Sequence, residues 1–490
     1  MPTDPDAAYL ALCARDARFD GRLFVGVTST GIYCRPVCRV RVPRRENCRF
    51  FDTRAQAEAA AFRPCLKCRP EIAPGLSHMD SSHSLAQTAA SLIDQAVQAG
   101  TAPRMPDLAA RLGVTDRHLR RIFQVSHGVA PNDYLATQRL LLAKQLLTDT
   151  TLPVAQVALA CGFESQRRFN AAFAERYRLS PTQLRREKPA VNAPGLRLAW
   201  RPPYDVEAMF GHYERRVVTG VETVDRPSLS LHRTLAWPHR GQVLTGWLSL
   251  RFDPARNEVR LHTSDSLAPA LGTLLQQVRH ALDLDADPAR IDPVLATLPL
   301  PARPGLRLPG CFDGFEAAVR VVLGQQVTVK GARTLLQRLV DALGEPINTP
   351  HIGLTRLFPT PQVVAAADPA TIGLLGIVRQ RVRALQTLAA EVAAGRIVLN
   401  RSAPLLPTLE ALHALPGIGD WTAQLIAMRA LAWPDAWPAS DIGLMNALGS
   451  RDPKHITALA EAWRPWRAYA VMRLWHAIET GEPLPHWKTR

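Results

Sequence analysis

The spacing of apolar residues divides the 490-residue chain into blocks. Near the N-terminus, Asp20 to Thr28 alternates apolar and polar side chains, which predicts a strand, with a second at Phe50-Phe51. From residue 84 the period lengthens to that of helices, and one layout occurs twice. Ala109-Ala-Arg-Leu-Gly113 leads into Thr115 to Phe123, and 49 residues later Ala158-Leu-Ala-Cys-Gly162 leads into Glu164 to Phe173. Each copy sets an alanine, small enough to pack against a second helix, four residues before a glycine turn. A helix with outward arginines follows, which is the design of a helix-turn-helix. Residues 196–305 return to alternation, as in Leu229 to Leu235 and Gln242 to Phe252, and predict an antiparallel sheet beside one or two helices. Beyond Pro304 the pattern is helical again, over Phe312 to Leu323, Thr328 to Leu343, Arg379 to Ala394 and Leu409 to Leu415. Polar stretches at Pro74 to Ser84 and Pro189 to Pro194 read as linkers that allow independent motion of the blocks.

Four of the eight cysteines change the picture of the first block. Cys34 and Cys38, then Cys65 and Cys68, form a Cys-x3-Cys and a Cys-x2-Cys pair. Each short loop delivers two thiolates to one tetrahedral metal, and zinc is the expected ion. Four thiolates close the coordination sphere, which by itself describes a structural site. Yet Arg35, Arg39, Arg41, Arg44, Arg45, Arg49, Arg63, Lys67 and Arg69 crowd the motif. Cationic neighbours and a metal both hold sulfur anionic, and the same cations bring the site towards a phosphate backbone. Cys13, Cys48, Cys161 and Cys311 follow no pattern. In a chain of this size that argues against a disulfide scaffold and fits a reducing, cytoplasmic setting. Asp4, Asp6 and Asp16 stand where a signal segment would be basic and apolar, and no run of about 18 apolar residues predicts a membrane span.

Charge then points to a partner. The formal net charge is +16, and residues 1–190 carry 27 Lys and Arg against 17 Asp and Glu. A basic face draws in phosphates and releases counterions on docking, so nucleic acid is the leading partner, and the motifs that follow make it double-stranded DNA. Arg117, Arg120 and Arg121 in the first helix-turn-helix, and Ser165, Gln166, Arg167 and Asn170 in the second, are the candidate DNA contacts. A further DNA motif lies at Leu415-Pro416-Gly417-Ile-Gly419-Asp-Trp421-Thr-Ala423, a helix-hairpin-helix whose glycines let the turn approach a phosphate. An ordinary Pro-Gly turn would read the same on this stretch alone. Downstream, Trp437-Pro-Ala-Ser-Asp441 sets a carboxylate 22 positions after Gly419. A lone aspartate there would serve as a helix cap; the hairpin upstream makes it a catalytic candidate.

Together these blocks resemble the Ada sensor family fused to the AlkA-type alkylation-repair glycosylases. The likeness rests on Phe62-Arg-Pro-Cys65 and Cys68-Arg-Pro70 in residues 1–75, on the doubled helix-turn-helix of AraC type in residues 84–188, and on three AlkA-like stretches. These are Trp200-Arg-Pro-Pro-Tyr-Asp205, Arg303-Pro-Gly-Leu-Arg-Leu-Pro-Gly310 and Trp463-Arg-Pro-Trp-Arg-Ala-Tyr469. The resemblance implies a multidomain α+β chain. Its parts are a small zinc α/β module (1–75), an all-α AraC-type double helix-turn-helix (84–188), an antiparallel α+β domain like the AlkA N-terminal domain (196–305) and an all-α helix-hairpin-helix glycosylase domain (306–490).

The resemblance also assigns roles. Cys34, held on zinc with Cys38, Cys65 and Cys68, takes a methyl group from a methylated DNA phosphate once only, which turns the protein into a transcriptional activator with RNA polymerase as a further partner. Asp441 carries the excision of alkylated bases such as 3-methyladenine, with Trp421 and Trp475 as pocket aromatics and Pro416, Gly417 and Gly419 gripping DNA. Bifunctional relatives place a Schiff-base lysine where Trp421 stands, so monofunctional hydrolysis is implied. There are departures: a wedge leucine is Gln326, a pocket tyrosine is Leu425 and a pocket phenylalanine is His212. The Pro-Cys-His-Arg motif of alkylguanine methyltransferases is absent. A regulator whose C-terminal half only docks on DNA is the alternative, and the joint presence of Asp441, Trp421 and Trp475 argues for the enzyme.

Overall fold

The computed structural model describes residues 5–15, 19–20, 23–71, 78–150, 152–186, 195–239 and 241–484. They form two compact units, Met1–Val97 with Thr101–Arg139, and Gln98–Gly100 with Leu140–Arg490.

The first unit opens with the helix Pro5–Cys13 and a four-stranded sheet of β1 (Phe24–Val27), β2 (Ile32–Cys34), β3 (Cys48–Phe51) and β4 (Arg63–Pro64), in the order β3-β1-β2-β4. The strand expected from Asp20 is shorter; Gly21 and Arg22 lie outside the described residues, and Thr28 already turns towards Asn47. The helix Arg54–Ala59 is held by a capping box in which Thr53 and Gln56 satisfy each other's backbone N–H. Most of the first expected linker is undescribed, but the helix His78–Gln98 has begun by residue 78 rather than 84. The first helix-turn-helix follows as Met105–Arg111 and Asp116–His127. Its Gly113 adopts φ +67°, a left-handed turn that a side chain disfavours. Ala109, Leu119, Ile122 and Phe123 are buried between the two helices and their neighbours.

The second unit contains the second helix-turn-helix, Val154–Ala160 and Gln166–Tyr177, turning at Gly162 with φ +77°. An antiparallel sheet of β5 (Leu196–Ala199), β6 (Glu222–Asp225), β7 (Ser230–His239), β8 (Gln242–Asp253) and β9 (Glu258–Thr263) runs in the order β5-β9-β8-β7-β6. The second linker, Pro189 to Pro194, lies outside the described residues. The expectation of independent motion is not met here. Leu146, Phe169 and Phe173 share one hydrophobic core with Leu231, Leu248 and Leu274 of the sheet domain, and the Arg197 guanidinium on β5 meets the buried Asp149 carboxylate at 3.2 Å.

The remainder is helical, as expected, with ends set by local caps. The helix expected from Phe312 is Gly314–Leu323, because the Asp313 carboxylate accepts from Glu316 N–H. The next, Val329–Leu343, is capped by Thr328. Arg379–Ala393 matches its expectation, and Leu409 to Leu415 becomes Leu405–His413, which starts just after Pro404. Asp420–Arg429, Ile442–Ala447 and Arg467–Thr480 complete the frame around the cleft described below.

Candidate metal centre and catalytic cleft

β2 ends on Cys34, and β4 ends one residue before Cys65. Their parallel pairing, Ile32 beside Arg63 and Tyr33 beside Pro64, sets the two cysteine loops side by side. Backbone bonds then tighten each loop, Cys65 N–H to the Tyr33 carbonyl at 3.0 Å and Cys38 N–H to the Arg35 carbonyl at 3.1 Å. The sulfur atoms of Cys34, Cys38, Cys65 and Cys68 lie within 4.8 Å of one another, and all four residues are buried. Hydrogen bonds among the crowded sulfurs push the Cys34 thiol above its usual range and hold Cys38 below it. A tetrahedral dication would relieve that crowding by taking all four as thiolates. The donor set fits zinc.

The cations around the motif divide into two sets. Arg35 is completely buried, its Nε 2.7 Å from the Asp20 carboxylate and its backbone N–H 3.5 Å from Cys68 Sγ. It orients a ligand loop rather than meeting solvent. The others face solvent: Arg45 pairs with Asp6, Arg69 with Glu71 and Arg44 with Glu46, and Arg41, Arg63 and Lys67 are exposed.

Both helix-turn-helix units present the expected side chains. Arg117, Arg120 and Arg121 are exposed, with Arg120 paired to Asp116 and Arg121 3.1 Å from His118. Gln166, Arg167 and Asn170 are exposed, while Phe169 and Phe173 of the same helix are buried. Ser165 is also exposed, but its hydroxyl caps its own helix by accepting from Arg168 N–H.

The second site is a cleft of about 1230 Å³ in the helical part of the second unit, and it gathers His212, Gln326, Gly417, Trp421, Leu425, Asp441 and Trp475. Asp441 caps the helix Ile442–Ala447, with Oδ1 accepting from Leu444 N–H at 2.9 Å. It also accepts from Trp475 Nε1 on Oδ1 at 3.0 Å and from Trp421 Nε1 on Oδ2 at 2.9 Å. The capping and catalytic readings of this residue are therefore compatible: one oxygen pair serves the helix and both indoles. Asp441 is half-buried, not fully buried. The tryptophans expected to stack on a base also aim their polar edges at the carboxylate.

In the hairpin, only Gly417 is left-handed, at φ +81°, and a Cβ there would lie 3.1 Å from Ala384 Cβ. Gly419 is extended, and a Cβ there would meet nothing. Pro416 and Gly419 share the turn with Gly417 without lining the cleft. Leu425 and His212 are buried in the cleft wall. Burial, reinforced by Arg216, Arg429, Arg215 and Arg320, holds the His212 imidazole well below its ordinary range, so it stays neutral. Arg429 sits 5.9 Å from the Trp475 ring centroid, and burial pushes its guanidinium down to about 9.

Sequence reasoning missed Arg429 and Gln325. Gln325 Nε2 donates to the Gly417 carbonyl and to Thr422 Oγ1, each at 2.9 Å. A glutamine beside the wedge position was the available signal, but its partners lie more than 90 residues downstream.

Four families match these parts. Residues 7–71 match the metal binding domain of Ada, 108–187 a helix-turn-helix domain, 195–313 the AlkA N-terminal domain and 319–467 the HhH-GPD superfamily of base excision DNA repair proteins. The Escherichia coli DNA-3-methyladenine glycosylase 2 is 35% identical over 57% of this chain and 96% of its own length. The E. coli bifunctional transcriptional activator/DNA repair enzyme Ada is 36% identical over 26% of this chain and 34% of its own. A probable bifunctional transcriptional activator/DNA repair enzyme AlkA of Mycobacterium tuberculosis is 38% identical over 99% of both chains. Zinc-type thiols, paired DNA-reading helices and a hairpin beside a tryptophan-held carboxylate thus run in one order along one chain, which belongs to the family of bifunctional activator/DNA repair enzymes that joins Ada-type and AlkA-type domains.

Proposed function

We propose that the chain senses and repairs DNA alkylation, excising alkylated bases such as 3-methyladenine with its C-terminal half. The observation that carries this reading is the carboxylate of Asp441 held by Trp421, Trp475 and Leu444 N–H. Three donors take most of the roughly four lone-pair directions of a carboxylate and fix its orientation at the cleft. A base flipped into the cleft leaves with the electron pair of its N-glycosidic bond, and the positive charge left on the sugar is stabilised by Asp441. Water adds at that carbon and loses a proton, giving free base and an abasic site. Trp421 offers no amine, so the reaction stops at hydrolysis. If wild type and Asp441→Asn release methylpurines from alkylated DNA at the same low rate, this reading is wrong.

In the N-terminal module, the Cys34 sulfur attacks the methyl carbon of a methylated backbone phosphate. An S–C bond forms, the C–O bond breaks, and its electrons return to the phosphate oxygen as an ordinary phosphodiester anion. Cys34, Cys38, Cys65 and Cys68 would hold zinc, which would keep the reacting sulfur a thiolate at neutral pH. The thioether does not turn over, and one negative charge facing the DNA backbone is lost. DNA binding then tightens, and the paired helix-turn-helix units activate transcription with RNA polymerase in the cytoplasm. Radiolabelled methyl transfer from methylated DNA is expected to vanish in Cys34→Ala; transfer that survives there assigns the nucleophile elsewhere.

A further inference from the structure

Gln326, at the wedge position, is exposed and holds φ +54°. A non-glycine residue in that conformation persists only where its surroundings enforce it. Its immediate neighbours do. On one side Thr328 caps the helix Val329–Leu343, accepting from Gly331 N–H at 3.1 Å. On the other side Gln325 ties the loop to the hairpin through the Gly417 carbonyl and Thr422 Oγ1, while the Arg381 guanidinium donates to the Gln325 carbonyl. Thr422 is buried and follows Trp421, whose indole holds Asp441. An unbroken chain of contacts therefore runs from the exposed tip through Gln325 and Thr422 to the carboxylate.

We infer that Gln325 is a positioning residue that holds the Gln326 loop against the hairpin for penetration of the duplex, an inference that rests on the base-excision reading above. A polar wedge gains little by desolvation inside the base stack, so its entry depends on a loop held in the inserting conformation. Gln325 supplies that hold and sets the wedge at a constant offset from the turn that grips the phosphate.

The test separates duplex opening from chemistry. Duplexes carrying 2-aminopurine next to an uncleavable abasic analogue report opening of the base stack on binding as a rise in fluorescence. Excision is timed in single turnover on 3-methyladenine or 7-methylguanine, either fully paired or opposite a one-nucleotide gap. Gln325→Ala is expected to lose most of the fluorescence rise and to slow excision from the paired duplex by about tenfold, the cost of two lost hydrogen bonds. Excision opposite the gap should change by less than about twofold. Thr422→Val, which deletes one contact and keeps the side-chain shape, should give an intermediate value if Gln325→Ala does not fold. Equal slowing on both substrates, or an unchanged fluorescence rise, overturns the inference. Because opening of the stack is read without cleavage, a failure of the catalytic reading, seen as equal release by wild type and Asp441→Asn, is told apart from a failure of the positioning role.

Discussion

At the scale of single residues, buried histidines mark where the second unit responds to pH. His280 is buried, its Nε2 lies 3.0 Å from the Arg429 carbonyl, and burial lowers its pKa from 6.5 to about 4. Gly310 packs on it so closely that a Cβ there would lie 2.8 Å from the ring. The folded state therefore binds fewer protons than the unfolded state between about pH 6.5 and pH 4. Stability is complete above pH 6.5 and falls as pH drops through that window, by an amount on the order of 3 kcal/mol from this group. Thermal melts of wild type and His280→Gln at pH 7.5 and 5 should diverge: wild type loses more Tm than the variant, which has no imidazole to charge. A wild-type loss no larger than that of the variant would place the pH response in other groups.

Among the helices and turns, the hairpin separates its two glycines. Gly417 needs its left-handed φ and its missing Cβ, so Gly417→Ala should destabilise by about 1–2 kcal/mol from backbone strain alone, with further loss from the contact at Ala384. Gly419 is extended with open space beside it, so Gly419→Ala should cost only about 0.5–1 kcal/mol as a weaker N-cap. That added methyl stands where a phosphate would approach the helix N-terminus. Duplex affinity measured at fixed salt should fall in Gly419→Ala beyond its small effect on stability, and an unchanged affinity would remove Gly419 from the DNA-facing set. The sequence made this hairpin, both helix-turn-helix units and the cysteine pairs legible because each is encoded within a few residues by glycine, alanine or cysteine spacing. It could not show that Arg35 is buried against Asp20, that Gln325 reaches Gly417, or that His212 is neutral. Those facts depend on partners brought together by folding and on the desolvation of charge.

On the scale of the whole molecule, the proposed chemistry is divided between the two units, and the division can be tested by taking the metal away. Among the described residues, the N-terminal module has no single large core. Phe24, Tyr33, Ala57 and Phe62 make one small cluster, and separate small groups form around Leu23 and around Val25, while the four cysteines form a cluster of their own. A domain of this size buries little apolar surface and is marginal on packing alone, and structural zinc supplies about 10–16 kcal/mol in zinc-finger peptides. The excision cleft, in contrast, is lined by residues from His212 to Glu479 and rests on extensive cores that contain no metal ligand. Strong chelation should therefore expose β1 to β4 to hydrogen exchange and proteolysis and abolish methyl transfer. Single-turnover base release should stay within about twofold of the untreated protein, because every described residue that lines the cleft belongs to the second unit. Asp441→Asn should do the reverse, leaving methyl transfer intact. If chelation leaves the four-stranded sheet protected, the module's stability comes from packing after all, and the thiol cluster is a reactive centre on an independently stable fold.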